Sequence, residues 1–160
     1  MIDTAIRPIH GHPVDMDGDV VMASGHGAGD NLTDLTHHLT HHQIAWYKND
    51  GHPGKSPWRK HIICESFSQG FEAVVADIDK DGHMEVIATG WGEDGRIALF
   101  KHAGDPRGAW SMQILKENWS KANTVFVADL DGDGWLDIVA AAEHSSNELR
   151  WWRNEDRIKT

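Results

Sequence analysis

The sequence repeats the stretch VADIDKDGHMEVIA (residues 75–88) as VADLDGDGWLDIVA (residues 127–140), 52 positions further along the chain. The same shift aligns about the whole of residues 58–103 with the residues that follow, without a gap. Self-similarity at one fixed period is typical of proteins built from repeated structural units. The acidic stretch and the apolar residues on both sides of it therefore decide how the rest of the chain is interpreted.

A third and less regular copy of the unit opens the chain. Residues 14–23 resemble the acidic stretch with the strand after it, and residues 43–49 resemble the end of each later unit. This copy lacks about four residues after Gly18 and carries an insertion between Ser24 and His42 that is rich in Gly, Thr and His. We interpret residues 1–160 as one segment whose units span approximately residues 1–50, 58–104 and 110–156.

Each unit is predicted to contain four short strands. In the second unit they cover residues 58–64, 71–76, 84–89 and 96–102, with turn-forming Ser, Asp and Gly residues between them. No stretch has the apolar periodicity of a helix. Four short strands in a repeat of about 50 residues are typical of a propeller blade, so we predict an all-β fold, a partial β-propeller of about three four-stranded antiparallel blades. A β-sandwich is the alternative, but its strands have no reason to share a loop at a fixed period.

The acidic stretch has the pattern Asp-x-Asp-x-Asp-Gly-x-x-Asp/Glu. Its acids are Asp77, Asp79, Asp81 and Glu85 in the second unit and Asp129, Asp131, Asp133 and Asp137 in the third. Calcium is a hard ion that takes about six to eight oxygen ligands, and the glycine permits the tight turn that brings such acids together. Carboxylates this close repel each other unless a cation lies between them. The pattern therefore predicts one Ca²⁺ site in the second unit and one in the third. The alternative is a plain Asp-Gly turn.

The setting of the motif separates it from an EF-hand, which has flanking helices and a Glu at the twelfth position. Here strands flank the motif and its last acid is at the ninth position. The chain resembles the FG-GAP/VCBS repeats of integrin-α-like β-propellers, whose blades carry such a calcium loop between two strands, and the resemblance covers nearly the whole chain. It implies that the four acids of each loop are side-chain ligands, and that the backbone carbonyls of His83 and Trp135 complete the two shells.

Two positions depart from the family pattern. Glu85 stands where the last acid is usually an aspartate. The first unit keeps Asp15, Asp17 and Asp19, but its loop is shortened, so the sequence leaves open whether it binds metal.

Composition narrows the classes of partner. The formal net charge of −10 argues against a nucleic-acid partner, which needs a basic surface, and suits a protein that collects divalent cations. No apolar run is long enough to span a bilayer. Residues 1–12 show no signal-peptide pattern. The single cysteine, Cys64, cannot form an internal disulfide.

Other residues with possible chemistry are few. The insertion contains His37, His38, His41 and His42, whose spacing of four would suit zinc on a helix. The segment is rich in Thr and has no nearby Glu to complete a catalytic zinc pattern, so a surface loop is predicted instead. A second group of residues follows the equivalent strand of each unit, near one end of the propeller: His26, Trp91, Glu143 and His144. No nucleophile elbow, phosphate loop or dinucleotide fingerprint is present.

Two functional hypotheses follow from these residues and the resemblance. The first is a calcium-binding module for ligand or partner binding and scaffolding, at the cell surface or outside the cell, with a glycan or a protein as ligand. The second is the propeller domain of a carbohydrate-active enzyme, of the polysaccharide lyase or sugar dehydratase type, which needs a convergent His and acid cluster. We favour the first. Propellers close with about four to eight blades, so the chain is expected to be part of a larger propeller or to self-associate.

Overall fold

The computed structural model describes residues 8–15, 20–26, 43–48, 58–67 and 69–155, the first two ranges as backbone strands only. These residues contain eleven strands and no helix, which confirms the all-β prediction. No helical membrane span is found in this part of the chain. The strands are β1 (Pro8–Asp15), β2 (Val20–His26), β3 (Ile44–Lys48), β4 (Arg59–Cys64), β5 (Gly70–Ala76), β6 (Glu85–Gly90), β7 (Ile97–His102), β8 (Trp110–Lys116), β9 (Ala122–Ala128), β10 (Asp137–Ala142) and β11 (Glu148–Trp152).

The strands form three antiparallel sheets in which each strand pairs with the one before it. The first sheet is β1-β2-β3-β4 and the middle sheet is β5-β6-β7-β8. The third sheet is β9-β10-β11 within the described residues. The opening strands of the sheets are neighbours, β1 beside β5 and β5 beside β9. None of the sheets closes on itself, so the architecture is that of a partial, propeller-like fold.

The sequence repeat and the sheet are out of step by one strand. The strand predicted to open the second unit, β4, pairs with β3 of the first sheet, where Trp46 is opposite His61. In the same way β8 pairs with β7, and Phe100 is opposite Met112. The first and middle sheets therefore each end with a strand that the sequence assigns to the next unit. The chain changes sheets only after this strand, between the end of β4 at Cys64 and the start of β5 at Gly70.

The strands β6 and β7 are buried on both faces, because the first sheet packs on one face and the third sheet on the other. Successive side chains of a strand point to opposite faces. Alternate residues of β6 and β7 pack towards the first sheet, in a core that contains Ile44, Trp46, Val86, Ala88 and Phe100. The intervening residues pack towards the third sheet, in a core that contains Ile87, Ile97, Leu99, Trp119 and Ile138. Burying one large apolar side chain contributes about 1.5–3 kcal/mol, so these two cores fix the spacing of the sheets and hence of the loops between their strands.

Candidate metal-binding loops

The predicted acids lie in two loops at the same end of the middle and third sheets. Loop 1 (residues 77–85) joins β5 to β6, and loop 2 (residues 129–137) joins β9 to β10. Gly82 and Gly134 occupy equivalent positions and have φ angles of 88° and 90°. Glycine enters this left-handed region without the steric penalty of other residues, so the Asp-Gly pair of each motif produces the same turn. Lys80 adopts a φ of 58° in loop 1 despite its side chain.

The loop carboxylates accept hydrogen bonds from N–H groups of their own loop. In loop 2 the bonds join Asp129 to Gly132 (2.8 Å) and Gly134 (2.9 Å), Asp131 to Asp133 (3.2 Å), and Asp133 to Trp135 (2.9 Å). In loop 1 they join Asp77 to Gly82 (3.2 Å), Asp79 to Asp81 (3.3 Å), and Asp81 to His83 (2.7 Å). Such bonds replace the backbone pairs that a tight turn cannot make. They hold the acids of both loops in matching positions.

Three acids of each loop converge. One oxygen from each of Asp77, Asp79 and Glu85 lies within 4.8 Å of the others, and Asp129, Asp131 and Asp137 form the equivalent group. These six residues are brought together as the motif predicts. Carboxylate oxygens at this separation are the donors that a hard divalent cation prefers.

The third acid of each motif does not join the cluster. Asp81 and Asp133 lie outside the two groups, and each uses its Oδ1 atom to accept the N–H two residues further on. Their role as direct ligands stays a prediction. The same holds for the backbone carbonyls of His83 and Trp135.

The last acid of each loop is buried at the start of a strand. Glu85 is 1% exposed and accepts the N–H of Ile78 at 2.8 Å. Burial raises the pKa of Glu85 to about 7, and the charges of Asp79 and Asp81 act in the same direction. Placing a charged carboxylate here in the absence of a cation is therefore unfavourable.

The equivalent acid of loop 2 has a different environment. Asp137 is fully buried and accepts N–H groups from Leu130 at 3.0 Å and Asn154 at 2.8 Å. Burial by itself raises the pKa of Asp137, but these two hydrogen bonds, a further one from Trp151 and the charge of Arg153 together outweigh it and leave the pKa below its ordinary value. The aspartate is thus held in its charged form by the protein alone.

One carboxylate oxygen of loop 1 is buried without a hydrogen-bond partner. This atom is Oδ1 of Asp77, while Oδ2 of the same group accepts the N–H of Gly82. A buried polar atom without a partner is costly, because it has lost its bonds to water. A bound cation would supply the missing interaction, and the residues of loop 1 therefore fit a calcium ion.

A basic side chain contacts each loop, and sequence reasoning did not assign it a role. Lys101 Nζ lies 2.6 Å from Oδ2 of Asp79. Arg153 contacts Oδ2 of Asp131 through Nε and lies 3.5 Å from Oδ2 of Asp133. Burial by itself raises the pKa of Asp79, but the hydrogen bond and charge of Lys101 outweigh it and lower the pKa. The equivalence of residues 101 and 153 under the 52-residue shift was the signal that could have pointed to them.

The two loops also contact each other. Lys80 of loop 1 lies over the ring of Trp135 in loop 2, with Nζ 4.3 Å from the ring centroid. The amide nitrogen of Asn154 donates to the carbonyl of Ile78 in loop 1 at 2.8 Å and to that of Leu136 in loop 2 at 3.2 Å. These contacts fix the two clusters side by side.

A cluster of polar and aromatic side chains lies where β6 and β10 end, away from loop 1 and loop 2. The indole N–H of Trp91 donates to Glu143 at 2.9 Å, and Lys121 Nζ lies 3.7 Å from the centroid of the Trp91 ring. Lys121 also pairs with Glu93 at 3.1 Å. The structure thus brings together two of the residues predicted at this end, Trp91 and Glu143. The side chain of His144 is exposed and lies 3.9 Å from Glu143.

Several predicted residues fall where the structure gives no side chains. His26 lies in β2, which is described as backbone only. The shortened first loop and the four insertion histidines also lie outside the described side chains: Asp15, Asp17, Asp19, His37, His38, His41 and His42.

Fold and loops together define a class of repeat-built, propeller-like β proteins, with an acidic loop between two strands of the middle sheet and of the third. Residues 77–140 match the family model of the FG-GAP-like repeat. This span runs from the first acid of loop 1 into β10 and includes both acidic clusters. The chain carries an FG-GAP-like repeat there, which confirms the resemblance seen in the sequence. No curated protein matches the chain.

Proposed function

We propose that the chain is a calcium-binding β-propeller module in which Ca²⁺ binds loop 1 and loop 2. The observation that carries the proposal is the buried, unpartnered Oδ1 atom of Asp77 within a converging three-acid group. The equivalent group in loop 2, built with the same turn, supports a second site. In this role the cation relieves repulsion between the acids and stiffens the connections from β5 to β6 and from β9 to β10.

Thermal unfolding in calcium and in chelator tests the proposal. An ion that binds only the folded state adds about 2.7 kcal/mol per site at a concentration a hundred times its dissociation constant, so the transition should move to a higher temperature in calcium. Calorimetric titration should give two sites. Asp79→Ala and Asp131→Ala should each remove one, whereas Asp17→Ala should leave both. Asp105→Ala is a matched control because it removes an exposed carboxylate that pairs with Arg107, outside both loops. An identical transition with and without calcium would contradict the proposal.

We further propose that the module presents a ligand-binding surface at the cell surface or outside the cell. The end of the sheets opposite the calcium loops carries an aromatic ring and charged groups, among them Trp91, Lys121 and Glu143. Aromatic and polar groups of this kind suit a glycan or a protein ligand. A glycan array with the purified chain, repeated with Trp91→Ala, separates the two ligand classes. Turnover of a uronic-acid polysaccharide or a keto-sugar would instead support the enzymatic alternative.

The outer face of the third sheet supports association with further blades. Three large apolar side chains on this face are 47%, 74% and 51% exposed: Phe126, Leu149 and Trp151. The equivalent residues one repeat earlier are buried between the middle and third sheets: Val74, Ile97 and Leu99. The third sheet covers this face of the middle sheet, whereas the equivalent face of the third sheet is exposed among the described residues. We propose that copies of the isolated chain associate through this face, or that another blade covers it in a larger propeller.

Light scattering on the purified chain tests this association. We expect a mass above that of one chain, which Trp151→Lys lowers. Met112→Lys changes an equally exposed apolar residue on β8 and should leave the mass unchanged. A compact monomer with a single cooperative transition at low concentration would contradict the proposal.

A further inference from the structure

The basic residues beside the two loops occupy the same place in the repeat. Lys101 lies 22 residues after Asp79, and Arg153 lies equally far after Asp131. In both units the basic group contacts the Oδ2 atom of the second acid of the motif. A single ion pair near the surface contributes little to stability. The recurrence of this contact at equivalent atoms therefore points to a role within the repeat.

These contacts involve a carboxylate that belongs to each proposed calcium site. The Oδ1 atom of Asp79 accepts the N–H of Asp81, and that of Asp131 accepts the N–H of Asp133. The Oδ2 atom of each carboxylate is the one that the basic side chain contacts. Asp79 and Asp131 nevertheless belong to the groups whose oxygens converge within 4.8 Å. A divalent ion at either group therefore meets a positive charge already bound to one of its ligands.

The electrostatic consequence has two parts. In the absence of metal, the basic group neutralises one charge of a crowded acidic loop and so stabilises the folded, empty state. When metal binds, the same group either leaves Oδ2 or stays as a like charge beside the ion. Both outcomes lower the affinity for the ion. Lys101 can leave easily, because its charge is a compact ammonium on a flexible stem.

We infer that Lys101 and Arg153 are built-in counter-cations that compete with calcium for loop 1 and loop 2. They set the affinity of each loop to a value below that of the acids alone, and they keep the loops folded when calcium is scarce. This inference rests on the proposed calcium function.

The test isolates loop 1 by using the Asp131→Ala chain, in which one calcium site remains. Adding Lys101→Met removes the charge but keeps the apolar stem. Calorimetric titration with Ca²⁺ should show at least tenfold tighter binding, which corresponds to about 1.4 kcal/mol. In chelator, the same variant should melt at a lower temperature than its parent. Lys101→Arg keeps the charge and should leave the affinity within about threefold of the parent.

Lys116→Met is the matched control. It removes the same charge from a lysine of similar exposure that lies near Glu148, at the other end of β7 from Lys101. Its calcium affinity should stay within about twofold of the parent value. If Lys101→Met does not fold in chelator, Arg153→Met in the Asp79→Ala chain gives the same comparison for loop 2.

The outcomes separate this inference from the function on which it rests. An unchanged or weaker affinity in Lys101→Met, with calcium still bound by the parent chain, would overturn the competition and leave the calcium function standing. An unaltered chain that binds no calcium at all would overturn both. Tighter binding in Lys116→Met equal to that in Lys101→Met would reduce the effect to net charge and would also overturn the inference.

Discussion

Replacing Asp137 by Ala should strongly destabilise the metal-free chain. The carboxylate is fully buried at the start of β10, and its two oxygens accept the N–H groups of Leu130 at 3.0 Å and Asn154 at 2.8 Å. A hydrogen bond to a charged group contributes about 1.5–3 kcal/mol. We take the lower figure for each bond because the two donors are only partly buried. Asp137→Ala should then cost about 3 kcal/mol, a large share of the roughly 5–15 kcal/mol that stabilises a domain.

Urea unfolding in chelator, followed by tryptophan fluorescence, measures this cost without any metal effect. With a slope of about 2 kcal/mol per molar urea, the midpoint should fall by about 1.5 M. Asp133→Ala is the matched control, since it removes the same charge from the same loop but only one hydrogen bond, at an exposed residue. It should cost about 1 kcal/mol or less, and Asp137→Asn should lie between the two. Equal midpoints for Asp133→Ala and Asp137→Ala would refute the reasoning.

Three further predictions concern other parts of the chain. An NMR titration should give Glu93 a pKa below its ordinary 4.5, because Lys121 hydrogen-bonds its carboxylate; the stability from this contact is present above that ordinary value and is lost as the pH falls through the folded-state pKa. Lys121→Met should bring the pKa back up, and an unchanged value would count against the contact. Gly95→Ala should lower the melting temperature sharply, because its Cβ would clash with three carbonyl oxygens of the backbone, whereas Gly108→Ala meets one at 3.3 Å and should lower it little. The sequence predicts that the insertion begins at Ser24, but Ser24–His26 belong to β2, and Ser24 and Gly25 pair with β3, so only the residues after His26 are removed in the test. Deleting residues 27–42 should leave cooperative unfolding intact, and tight stoichiometric zinc binding that disappears with the deletion would contradict the prediction of a plain surface loop.

The strands could be predicted from the sequence, but their grouping could not. Periodicity and turn residues mark where a strand begins and ends, and the predicted stretch 71–76 lies within β5 (Gly70–Ala76). Which sheet a strand joins depends on its pairing in the folded chain, and a repeat in the sequence carries no information on that pairing. The 52-residue period is the same wherever the count starts, so it cannot reveal that β4 continues the first sheet.

The acidic clusters could be predicted from spacing, but not the use of every acid in them. Asp77, Asp79 and Asp81 are equivalent in the pattern, yet only the first two converge with Glu85, because convergence depends on the folded path of the turn and not on spacing alone. The contact of Lys101 with Asp79 could not be predicted from the motif, for a different reason. The two residues are 22 positions apart, and the contact forms only because β6 and β7 pair in the sheet.

The one-strand offset between repeat and sheet has a consequence for where the chain can be cut. A fragment that stops at the end of the second sequence unit, residue 104, would lose β8 and leave the edge of β7 open to pair with other chains. A fragment that stops within residues 117–121 would keep the middle sheet whole, because it includes all of β8. The first and middle sheets are each completed by a strand that belongs to the next repeat. Safe boundaries for truncation therefore lie about a dozen residues after the boundaries that an alignment of the repeats suggests.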